Sequence, residues 1–176
     1  MNENEKFDEL TKKAEQGDAE AQCELGNMYY KGQGVAQDYK NAIEWCTKAA
    51  EQGFADAQNN LGVMYDCGQG VAQDYKKAFE WYTKAAEQGY AGAQYNLGLM
   101  YKCGEGVAQD YEKAFEWYTK AAEQGDADAQ YNLGVMYEKG DGTSKDLKKA
   151  IEYYKMASLQ GEEDAKEALK RLNGIK

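Results

Sequence analysis

The chain has 176 residues, 43% of them hydrophobic and 12% aromatic, a size and apolar share that suit one compact array with a continuous core. Its 21 Lys and Arg stand against 31 Asp and Glu, a net charge of −10. An acidic surface repels phosphate backbones, so nucleic acid is excluded as an expected partner.

A 36-residue unit recurs without insertion from Asp18, Phe54, Tyr90 and Asp126. Gly17, Gly53, Gly89, Gly125 and Gly161 fall in step, as do Gly26, Gly62, Gly98 and Gly134. Ungapped register of this length predicts an all-α solenoid of stacked helix-turn-helix units. The expected divisions are a capping helix over 1–17, repeats over 18–53, 54–89, 90–125 and 126–161, and a second capping helix over 162–176.

The opening MNENEKFDEL is charged and holds no apolar run, so neither a secretory signal nor a membrane span is expected. The sequence as it stands points to the cytoplasm, or to the periplasm or cell exterior if a signal has been trimmed. Residues 1–17 otherwise follow the second half of a repeat, with two departures. Glu9 stands where the repeats carry Trp45, Trp81 and Trp117, and Lys13 where they carry Ala49, Ala85 and Ala121. Positions four apart share a helical face, and this one has no earlier repeat to cover it.

Each repeat divides into helix A and helix B. In the first copy, Ala21, Leu25, Met28 and Tyr29 form a stripe of helical period that predicts helix A over Ala19–Tyr30. Helix B is predicted over Tyr39–Gln52, with Asp38, Asp74, Asp110 and Asp146 as N-caps. Its expected buried face is Tyr39, Ala42, Ile43, Trp45, Cys46, Ala49 and Ala50, and Gly53 suits a left-handed stop. The G-x-G between helices lacks the third glycine and the strand of a phosphate loop, so it is expected to be a positive-φ turn. Gly26 and its equivalents lie inside helix A, where glycine costs about 1 kcal/mol; their recurrence predicts close approach to an aromatic of helix B. The segment 162–176 keeps Ala165 and Leu169 of a helix A, with Lys170 at the glycine position.

Histidine is absent, and Cys23, Cys46, Cys67 and Cys103 form no C-x-x-C pair, so neither metal nor cofactor is expected. Cys67 and Cys103 are equivalent positions of successive repeats. Stacked helices lie about 8–10 Å apart, beyond disulfide reach of roughly 4.4–6.8 Å between Cα atoms, so free thiols are expected.

Three motifs, A-x-A-Q-x-x-L-G-x-M-Y, G-x-G-V-x-Q-D-Y-x-K-A and W-Y-T-K-A-A-E-Q-G, cover nearly the whole chain. They resemble the Sel1-like repeat family, a relative of the tetratricopeptide repeats. The resemblance implies a right-handed α-α superhelix whose helix A residues line a concave groove. It also implies an adaptor, scaffold or regulator, in most cases bacterial. A cysteine-rich subfamily bridges consecutive repeats through C-x7-C, and some of its members bind or slowly hydrolyse β-lactams. The matching pairs here are Ala50/Gln58, Ala86/Gln94 and Ala122/Gln130, so those disulfides are absent.

The predicted exposed side of helix A changes most between repeats. It includes Asn59, Asn60, Val63 and Cys67 in the second copy, Tyr95, Asn96, Leu99 and Cys103 in the third, and Tyr131, Asn132 and Val135 in the fourth. Tyr95, Leu99, Tyr131 and Val135, with Val63 adjacent, form an apolar cluster that packing does not require, which marks an interaction site. Asn60, Asn96 and Asn132 recur as a ladder whose amides could serve an extended peptide backbone, as an asparagine does in tetratricopeptide grooves. The alternative is that they cap or bridge within the array. Catalysis is not expected: Glu44 and Glu51 fall on solvated faces, and Cys67 and Cys103 sit at the negative end of a helix dipole. The leading reading is a monomeric, non-catalytic adaptor for a protein or peptide. An acidic inhibitor or immunity-type protein that blocks a basic partner stands second, and a β-lactam-binding or hydrolysing protein third.

Overall fold

The computed structural model describes residues 3–174. They form ten helices, with no strand among the described residues: α1 (Glu3–Glu15), α2 (Ala19–Lys31), α3 (Tyr39–Glu51), α4 (Ala55–Cys67), α5 (Tyr75–Glu87), α6 (Ala91–Cys103), α7 (Tyr111–Glu123), α8 (Ala127–Lys139), α9 (Leu147–Leu159) and α10 (Glu163–Asn173). Helix A of the repeats is α2, α4, α6 and α8, and helix B is α3, α5, α7 and α9. Two compact units emerge, Met1–Tyr90 and Ala91–Lys176.

Local chemistry sets the helix ends. Asp38 accepts from the backbone N–H groups of Lys40 and Asn41 at 2.9 and 3.1 Å; Asp74 and Asp146 cap in the same way, and Asp110 accepts from the Lys113 N–H. Each of these Asp N–H groups also closes the A–B turn, as in Asp38 N to Tyr29 O at 2.9 Å. The first turn glycine takes the expected left-handed backbone, φ +67° at Gly32. The second has an additional reason: a Cβ at Gly70 would lie 2.5 Å from the Tyr39 carbonyl oxygen, at the start of the preceding helix B.

In the first unit, α3 packs between α2 and α4 over Ala42, Cys46, Ala49, Ala57, Leu61 and Met64. In the second, α7 and α8 enclose Ala114, Tyr118, Ala121, Ala129, Leu133 and Met136. Three residues expected to be buried on helix B are only half-buried: Tyr39, Ile43 and Trp45. The reason is visible at Trp45, whose outer ring face is covered by the Lys48 ammonium at 4.0 Å; Lys84 on Trp81 and Lys120 on Trp117 repeat the contact. The lysine stem shields the ring while its charge stays in water.

Buried glutamines join one repeat to the next. Gln52 donates to Gln22 Oε1 at 2.8 Å, and Gln22 donates to the Ala14 carbonyl of α1 at 2.9 Å. The same relay runs from Gln88 through Gln58 to Ala50, and from Gln160 through Gln130 to Ala122. At the first helix, Glu9 and Lys13 pair with each other at 2.9 Å on an exposed face. In α10, Ala165 is buried and Lys170 is exposed.

The helix-A glycines meet a side chain of helix B. A Cβ on Gly62, Gly98 or Gly134 would lie 2.5–2.8 Å from the rings of Tyr82, Tyr118 and Tyr154. The first repeat differs from expectation, since Gly26 faces the Cys46 thiol rather than an aromatic ring. Gly62→Ala gains about 1 kcal/mol of helix propensity but overpacks against a fully buried ring, which costs about 1–3 kcal/mol. A net loss of up to about 2 kcal/mol is expected in urea unfolding; a stabilised variant would mean that Tyr82 yields freely.

Candidate partner-binding face

In the first unit the relevant residues lie on α2 and α4. Asn60 donates through Nδ2 to Asn27 Oδ1 at 2.9 Å, on the neighbouring helix A, and to Asp56 Oδ1 at 3.1 Å. Asp56 also accepts from the Tyr90 hydroxyl at 3.3 Å. The Asn60 amide nitrogen is therefore engaged in bridging within the array, while its carbonyl oxygen remains an acceptor for an incoming donor. A cavity of about 300 Å³ opens beside it, with Val63 on its wall. Asn59, expected on the exposed side, is buried at 9% exposure, because that position of helix A turns toward helix B.

In the second unit the same position carries Tyr95 and Tyr131. Both are half-buried, and each ring centroid lies 5.7 Å from that of the helix-B tyrosine behind it, Tyr118 and Tyr154. These rings thus serve packing and also present an edge. Leu99, Val135 and Asn96 are half-buried, and Cys67 and Cys103 are exposed in their respective units. Asn132 is buried and engaged on both sides: Nδ2 donates to the Asp128 carbonyl at 2.9 Å, and Oδ1 accepts from Lys102 Nζ at 2.8 Å. Its bridging role is therefore on view, as at Asn60.

Carboxylates surround the two tyrosines. Burial, then Asp128, Asp126 and Glu162, pushes the Tyr95 hydroxyl above its ordinary pKa; burial, then Asp164 and Glu162, does the same for Tyr131. Beside Tyr131 a cavity of about 460 Å³ is lined by Asp164, Glu167, Ala168 and Arg171. The face can therefore offer aromatic edges flanked by negative charge.

One column of helix A was not singled out from the sequence: Tyr30, Asp66, Lys102 and Glu138. Tyr82 donates to Asp66 at 3.4 Å, and Tyr154 donates to Glu138 at 2.8 Å. Burial raises the Asp66 pKa, whereas the Arg171 fork, at 2.6 and 2.8 Å, holds Glu138 below its ordinary value. In the third repeat Lys102 occupies the column, and the buried Tyr118 hydroxyl finds no acceptor among the described residues. A sign reversal at one position of an otherwise constant repeat was the available signal.

All four cysteines are free thiols. Burial pushes Cys23 and Cys46 to about 12, and burial with Asp66 nearby raises Cys67. None of these three is poised as a thiolate. No helix among the described residues is long and apolar enough to cross a membrane.

A family model described as the Sel1 repeat matches residues 19–54, 55–90, 91–126 and 127–162. No curated protein matches the sequence. Among solved structures, c5321, a protective antigen present in uropathogenic Escherichia coli strains, is 44% identical with a TM-score of 0.85 over 88% of this chain. A Sel1 repeat protein from Oxalobacter formigenes is 40% identical with a TM-score of 0.87 over 97%. This chain spans only 33% and 49% of those two. The immunity protein Pa5087 from Pseudomonas aeruginosa is 28% identical, with a TM-score of 0.61 over 90% of this chain and 59% of its own.

Two substitutions test the column. Lys102→Glu supplies the acceptor that Tyr118 lacks, and a gain of about 1 kcal/mol in urea unfolding is expected; a loss would contradict the orphaned hydroxyl. Glu138 has a depressed folded pKa, so its contribution is present above the ordinary value of 4.5 and is lost as the pH falls through the folded value. Glu138→Gln is expected to cost about 1–2 kcal/mol at neutral pH, a gap that closes in acid. A gap independent of pH would exclude the ion pair as its source.

Proposed function

The chain belongs to the Sel1-repeat family, and from that premise we propose that it is a non-catalytic adaptor or scaffold that binds a protein or peptide along the helix-A face. The observation that carries this reading is the pair Tyr95 and Tyr131. Both keep an exposed edge where the first two copies place the buried Cys23 and Asn59. Aromatic edges contribute large contact area at small entropic cost, which is why they anchor interfaces. Val63, Leu99 and Val135 would extend the apolar contact, and Asn60 and Asn96 would meet a peptide backbone. Asn132, tied to the Asp128 carbonyl and to Lys102, would act by bracing the face beside Tyr95. Cys67 and Cys103 lie at the C-terminal ends of α4 and α6 and would border the site.

A second reading is that the protein inhibits a basic partner. Its support is the net charge of −10, the carboxylates around Tyr95 and Tyr131, and the likeness to an immunity protein. Steered association of that kind weakens steeply with salt.

The test is affinity capture from bacterial lysate with wild type and Tyr95→Ala/Tyr131→Ala, both checked for fold by circular dichroism. The adaptor reading expects a partner retained by wild type and lost by the double variant. Retention by both would move the interface elsewhere, and loss of capture on raising salt from 50 to about 500 mM would favour the inhibitor.

A further inference from the structure

The repeats supply an internal control for one position. In the second and fourth, a helix-B tyrosine is buried and donates its hydroxyl to a carboxylate of its own helix A, Asp66 or Glu138. In the third, Tyr118 is fully buried and its hydroxyl has no acceptor on the described residues. The carboxylate position holds Lys102, so the site has gained a cation where its counterparts have an anion. A buried donor left without an acceptor is unfavourable; of the three copies that carry this tyrosine, only the third lacks the carboxylate beside it, and such a broken local rule is where function is expected.

Resting on the helix-A binding reading, we propose that the third repeat receives a side-chain carboxylate of the partner, Asp or Glu, between the Tyr118 hydroxyl and the Lys102 ammonium. The fourth repeat shows the completed arrangement within one chain. Glu138 accepts from the Tyr154 hydroxyl at 2.8 Å and from both Arg171 nitrogens at 2.6 and 2.8 Å, one hydroxyl and one cation for one carboxylate. The third repeat holds the hydroxyl and the cation and leaves the carboxylate to the ligand. Lys102 need not abandon its bond to Asn132, because an ammonium has three donors. A charge-assisted contact to a carboxylate is also stronger than one to an amide oxygen. Asp126 and Asp128 lie near Tyr95, on the adjoining surface. Their charge disfavours a polyanion and suits one acidic side chain held at short range.

The experiment uses the full chain, labelled with 15N and titrated at constant ionic strength. The probes are acetate, a glutamate tripeptide blocked at both ends, and the same peptide with glutamine. Saturable shifts of the Lys102, Cys103 and Tyr118 amide signals are expected with acetate and the glutamate peptide, and none with the glutamine peptide. The response should vanish in Lys102→Glu, which returns the carboxylate to the chain, and in Tyr118→Phe. Shifts that survive in Tyr118→Phe would reduce the contact to loose pairing with an ammonium and overturn the proposal. Absence of shifts, or a response to acetate alone, would overturn it as well. If these titrations fail while Tyr95→Ala/Tyr131→Ala still abolishes capture, the carboxylate site is wrong and the helix-A face stands.

Discussion

Every helix pair depends on a glycine of helix A lying against a side chain of helix B. At Gly62, Gly98 and Gly134 the neighbour is a tyrosine ring, too close for any Cβ. A glycine inside a helix costs about 1 kcal/mol. A tyrosine removes about 150–250 Å² from water, roughly 4–6 kcal/mol at about 25 cal/mol per Å². Burial wins by a wide margin, so the sequence accepts a poor helix former at these three positions, and Gly26 does the same against the smaller Cys46 side chain. The close approach then fixes which residues of helix A turn inward. Leu25, Leu61, Leu97 and Leu133 fall in the core, and the neighbouring column is left at the edge of helix B.

Within that constant frame, small changes of side chain produce different electrostatics. Asp66 and Glu138 occupy one column and accept from equivalent tyrosines, yet their carboxyl groups shift in opposite directions. Asp66 has burial without a cation, and Glu138 has Arg171 from α10. Lys102 reverses the sign again. The backbone hardly enters these differences, which is why a repeat array can alter its chemistry without altering its packing.

The helices, the aspartate caps, the left-handed turn glycines and the charged first helix were legible because each follows from periodicity or from local backbone chemistry. Three features were not. The glutamine relay was visible as a recurring letter, but Gln22 and Gln52 are 30 residues apart, and pairing at that distance leaves no periodic trace. The second turn glycine reads as a turn residue, whereas Gly70 and Gly142 also make room for Tyr39 and Tyr111 of the preceding helix B. On the candidate face, residue identity separates variable from constant positions but carries no measure of depth. The pattern places one helix-A position on the exposed side, and the structure buries Asn59 there while leaving Tyr95 and Tyr131 half-covered. Their size is what brings them out.

The hydrogen bonds between repeats have short reach along the chain. The bond from the Tyr30 hydroxyl to Gln69 spans 39 residues, barely more than one repeat. Loop closure over such distances is entropically cheap, and topologies dominated by local contacts fold fast. During synthesis a helix pair can therefore find its partners soon after it emerges, before the rest of the chain exists. The glutamine relay also runs backward, from Gln52, Gln88 and Gln160 at the end of helix B to the carbonyls of Ala14, Ala50 and Ala122 in the helix that precedes each pair. At these three joints, assembly from the N-terminus thus adds a donor to an acceptor that is already in place.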